Sequence, residues 1–214
     1  MRNLLLPALL VSTTIACQNA YYATMEKFGV DKREILVDRV ASAREGQEEA
    51  KVQIQSTFEA FQELTGFQGG DLEAMYKKLK GEYEDAEDAA SEVTDRIEKI
   101  EHVAGALFSE WETEASEMND PGMRRQSEQM MRDTQKRYED VVRVMHNAED
   151  KMQPVLVKFK DHVTLLKHNL NAAAIAGLKD NALTIESDVA DLIRSMQASI
   201  EEADAFLKDM KPAE

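Results

Sequence analysis

From Leu72 onward, apolar residues recur at spacings that alternate four and three. The series runs Leu72, Tyr76, Leu79, Tyr83, Ala86, Ala90, Val93, Ile97, Ile100, Ala104, Leu107, Trp111, Glu114, Met118, and only Glu114 is polar. A repeat averaging 3.5 residues keeps every member on one side of a helix, the seam of a coiled coil. The pattern predicts a helix over 71–118. Asp71 is its N-cap after Gly-Phe-Gln-Gly-Gly, and Asn119-Asp120-Pro121-Gly122 is the turn that ends it. At 1.5 Å per residue this helix is about 70 Å long.

The same rhythm predicts three more helices. Leu36, Val40, Ala43, Gln47, Ala50, Ile54, Thr57, Phe61 and Leu64 mark one over 31–65. Met131, Thr134, Tyr138, Val141, Met145, Ala148, Met152, Val155, Phe159, His162, Leu166, Asn169 and Ala173 mark one over 122–177, with a kink or break expected near Gln153 because Pro154 lies inside it. Ile185, Val189, Leu192, Met196, Ala203, Phe206 and Met210 mark a last, shorter helix over 181–210. Turns near 66–70, 119–122 and 177–181 make neighbouring helices antiparallel. The fold expected is all-α: an elongated, up-down, coiled-coil-like bundle of four long helices that thins at one end. No alternating run of β-formers argues for strands.

Charge narrows the possible partners. The chain has 214 residues with 41 acidic and 26 Lys or Arg side chains, for a net charge of −15. Such a surface repels nucleic acid, which is bound through clustered cations. It also repels anionic lipid. Around the second turn, Glu110, Glu112, Glu114, Glu117 and Asp120 face Arg124, Arg125, Arg132, Lys136 and Arg137 across the hairpin, so the arms are expected to attract each other.

No catalytic constellation emerges. A di-iron bundle needs Glu-x-x-His on two helices, but Lys99, Arg143, Phe159 and Leu165 stand three residues before the four histidines. His162 and His168 are six apart, on different faces. The three-glycine turn lacks the strand and the Lys-Ser/Thr of a phosphate loop. Neither metal nor cofactor nor enzymatic activity is expected. Phe108, Trp111, Met118, Met123, Met130 and Met131 cluster around the second turn. Methionines at helical spacing are usually core, and they also make adaptable contact surfaces; these six are the candidate contact surface.

The N-terminus adds location. Arg2, the apolar run Leu4–Val11, the small polar Ser12, Thr13 and Thr14, and Ala16 have the layout of a signal peptide over 1–16. Thr14-Ile15-Ala16-Cys17 then resembles the lipobox of bacterial lipoproteins, in which the cysteine is acylated and becomes the mature N-terminus. Leucine is usual three residues before that cysteine; here it is Thr14, and Thr14-x-Ala16 also suits an ordinary signal peptidase. The sole cysteine, Cys17, is thus the candidate lipidation site, followed by a membrane-proximal segment over 17–30. Gln18, by the same resemblance, points to the outer membrane, and a soluble periplasmic protein is the alternative.

The stretches YYATMEKFGVDKREILVDRV, GALFSEWETE and KFKDHVTLLKHNLNAAAIAGL resemble an uncharacterised family of Gram-negative envelope lipoproteins, a domain-of-unknown-function family. The resemblance implies a lipoprotein with a helical bundle and transfers no activity. The expected function is a lipid-anchored, periplasm-facing scaffold or interaction protein. It would be held to the membrane by its acyl chains and engage a protein partner. The alternative is a sensing or carrier bundle that holds a small apolar ligand or lipid, with Ala172–Gly177 beside Pro154 as the place for it.

Overall fold

The computed structural model describes residues 31–210, which form four helices and no strand. They are α1 (Lys32–Thr65), α2 (Leu72–Glu117), α3 (Pro121–His168) and α4 (Ala172–Met210). α1 packs on α2 and α4, and α3 packs on the same two, so the helices close an antiparallel up-down ring. The all-α bundle expected from the sequence is borne out.

Local chemistry fixes the helix starts. Asp71 accepts a hydrogen bond from the Ala74 amide at 3.0 Å. Asp120 accepts from Gly122 and Met123 at 2.6 and 2.9 Å, and Pro121 occupies the first helical position, where no amide is needed. Gly66 ends α1 at φ −80°, within reach of any residue. It is Gly69 and Gly70, at φ 145° and 117°, that turn the chain through space closed to side chains.

Two boundaries differ from the sequence reading. α3 ends at His168 and α4 starts at Ala172, so the last turn is 169–171 rather than 177–181. Asn171 caps α4 by accepting from Ala173 and Ala174, each at 3.0 Å. Asn169 is exposed, off the core. Gly177 sits inside a helix at a cost near 1 kcal/mol, offset by burial of Ile175 and Leu178 on either side of it. α4 is therefore 39 residues long, and among the described helices α1, with 34, is the shortest. Pro154 does not break α3. It lies on the wet face, where water can serve the Asp150 carbonyl that its missing N–H leaves free.

The core follows the predicted stripes. Leu79, Tyr83, Val93, Ile97, Ile100, Ala104 and Leu107 of α2 are buried, and so is every member of the α4 stripe. Phe61 meets Phe159 edge-on at 6.1 Å and His162 at 5.1 Å. At mid-bundle Gln47 and Ser199 are wholly buried with no hydrogen-bond partner among the described residues for either amide atom or the hydroxyl. The pairs Arg44–Asp204 and Lys51–Gln197 put these two positions at about the same level of the α1–α4 interface. A buried polar layer of this kind disfavours sliding of the helices at the expense of stability.

Candidate interaction site at the hairpin end

α2 and α3 outrun their neighbours. Lys32 at the start of α1 donates to Glu110 Oε1 at 2.9 Å, and Arg33 donates to the Met210 carbonyl at 2.7 Å. Arg137 pairs with Asp209 at 3.0 Å. α1 therefore begins level with Glu110, and α4 stops level with Arg137. Beyond them the described residues leave a two-helix hairpin, Trp111–Glu117 against Pro121–Lys136. The α2 stripe, buried from Leu79 to Leu107 except at the half-buried Ala90, is half-exposed at Trp111 and exposed at Glu114, because no helix of the ring covers it there.

The step between four helices and two makes a cleft of about 710 Å³. Its floor is Leu107, Trp111, Met130 and Thr134 of the hairpin; Asp31, Lys32 and Arg33 form one wall and Asp209 and Met210 another. Trp111 donates its indole N–H to Ser127 Oγ at 2.9 Å, which fixes the ring across the hairpin seam. Phe108 meets Tyr138 at 5.6 Å with the rings tilted by 57°, and burial pushes the Tyr138 phenol up to about 12, with Glu101 and Glu139 adding to the shift. Arg124 donates to the Met118 carbonyl at 2.6 Å and closes the turn.

The six residues singled out from the sequence are thus brought to one end but do different things. Trp111 and Met130 line the cleft. Met123 and Met130 are 64% and 54% exposed. Met118 and Met131 are half-buried, and Phe108 packs against the core. Cys17 and the aromatic residues Tyr21, Tyr22 and Phe28 lie outside the described residues. The walls, Arg33, Asp209 and Met210, were not legible in the sequence, since they join the site only through the register of α1 and α4 on the hairpin.

The expected attraction between the arms takes another form. Among the described residues no ion pair joins Glu110–Asp120 to Arg124–Arg137. Glu110 goes to Lys32, Arg132 to Glu128 on its own helix, and Arg137 to Asp209. Asp120 and Arg124 bond the backbone of the turn, and Glu112, Glu114, Glu117, Arg125 and Lys136 are exposed.

Two smaller recesses lie along the rod. One of about 540 Å³ between α2 and α3 is bounded by Thr94, Glu149 and Gln153 among others. The other, about 250 Å³ between α3 and α4, contains His162, whose imidazole burial holds below its ordinary value. Residues 172–177 line none of these three cavities. Among the described residues no group of three or more His, Cys, Asp or Glu side chains could hold a metal ion, and no helix is long and apolar enough to cross a membrane.

The fold and the cleft define a helical-bundle protein with an open end. Residues 21–210 match the family model described as "Protein of unknown function (DUF2959)", and the chain belongs to that family. No curated protein and no solved structure matches it.

Proposed function

We propose that this protein is a non-enzymatic interaction scaffold of the bacterial envelope, anchored through an acylated Cys17 and facing the periplasm. The observation that carries this reading is the position of the cleft. Asp31 forms part of its wall, so the chain that leads from Cys17 enters the bundle at the open hairpin end. Thirteen or so residues between anchor and bundle, in any conformation, keep that end within a few nanometres of the bilayer. Trp111 and the exposed Met123 and Met130 supply an adaptable apolar surface, and the exposed charges of the two arms supply direction for a partner.

A photo-crosslinker placed at Met123 tests the reading in intact envelopes, with the same group at Gln68 as the control. A discrete protein adduct is expected at Met123 and absent at Gln68. Lipid that co-purifies with the bundle, with no protein adduct at either position, would instead favour the carrier alternative.

A further inference from the structure

His146 of α3 stands between two carboxylates. Its Nδ1 is 2.7 Å from Glu149 Oε2 and its Nε2 is 3.0 Å from Glu101 Oε1 across the interface on α2. Thr94 of α2 donates to the other Glu149 oxygen at 2.6 Å, so Glu149 is itself held. A neutral imidazole has one N–H and can satisfy one carboxylate; the imidazolium has two and satisfies both. The arrangement is complete only with the ring charged.

We propose that His146 is a proton-operated tie between α2 and α3, closed when its ring is protonated and slackened when it is neutral, and that it sets how firmly the two arms are held together at the hairpin end. The tie lies just below that end: Phe108–Tyr138 and Trp111–Ser127 are the next cross-links toward the turn. Neither titrates near neutrality, since the Tyr138 phenol is raised to about 12. Glu149 borders the recess between α2 and α3, which gives water and protons access to the cluster.

The charged groups around the ring are few. Glu101 reaches it from α2 and Glu149 from its own helix, while Arg143, one turn back, is turned to Asp140 at 2.8 Å. Among the described residues α1 and α4 send no charged group to it. Burial of the ring works against its charge, and the two carboxylates outweigh that, so the imidazole is held above its ordinary 6.5. A raised folded value means the tie is complete below the ordinary histidine value and is lost as pH rises through the folded value. His162 has the opposite sign: its lowered value makes stability fall on the acid side.

Ring-proton NMR on the whole protein, from about pH 5.5 to about pH 8.5, with the His146 signal assigned by its loss in His146→Gln, tests the tie. The wild-type ring is expected to titrate above the ordinary value, and Glu101→Gln is expected to bring it down. Amide exchange, corrected for its intrinsic pH dependence, should show protection across residues 105–140 falling with rising pH in the wild type. In His146→Gln it should be low throughout, while protection of the α1–α4 interface is unchanged. A wild-type His146 that titrates at or below the ordinary value overturns the proposal, and so does a pH slope of hairpin protection that survives in His146→Gln.

Discussion

Ile97→Asp is expected to destabilise the bundle by about 4 kcal/mol or more, and to lower its melting temperature by roughly 10 °C. Ile97 has no exposed surface and lies mid-seam on α2, with Ile100 equally buried one turn on. A carboxylate there loses the apolar contacts and sits in a buried stripe with Val93, Ile100 and Ala104, while the adjacent Arg96 is already engaged with Ser42 and Glu92. The side chain must be buried charged, buried protonated, or exposed by parting α2 from its neighbours, and each route is costly. Circular dichroism checks this: a mainly helical wild type and an early-melting variant are expected. Equal melting of the two proteins would place Ile97 outside the core.

Cys17→Ser is expected to remove the anchor altogether. Serine lacks the thiol that forms the thioether to diacylglycerol, so the variant should be found in the soluble envelope fraction or retain its leader. Two or more acyl chains hold a protein to a bilayer stably, and no polybasic patch could substitute on so acidic a chain. Intact-mass measurement of the wild type checks the premise: acyl chains on a chain beginning at Cys17 are expected. A wild type cleaved before Cys17 with a free thiol would show that Thr14 directs ordinary processing, and the mature protein would then lack the lipid anchor.

The periodic apolar positions made the first two helices legible almost to the residue, and the start of the third and the end of the fourth, because burying a 3.5-residue stripe is the dominant stabilising term in such a bundle. The last turn was misplaced for a local reason. Gly177 and Asn181 carry breaker chemistry, and so do Asn169 and Asn171; only the burial of Ile175 and Leu178 decides which pair the chain uses. The apolar half of the site, Trp111 and Met130, was visible as a cluster. Its polar walls were not, since Lys32–Glu110, Arg33–Met210 and Arg137–Asp209 join residues 72 to 177 positions apart. His146 shows the same limit. Glu149 three residues on could be seen from helical spacing, whereas Glu101, 45 residues away, enters only through the α2–α3 register.

The most direct test of a membrane-proximal working end is fluorescence quenching from within the bilayer. Bulky labels are attached singly at Asp120, at the hairpin turn, and at Gln68, in the glycine turn at the opposite end of the rod, in the anchored protein on vesicles. A quencher inserted in the membrane is expected to reach the label at position 120 and leave that at 68 bright. Equal quenching, or stronger quenching at 68, would contradict both the orientation and the assignment of the hairpin end as the contact surface.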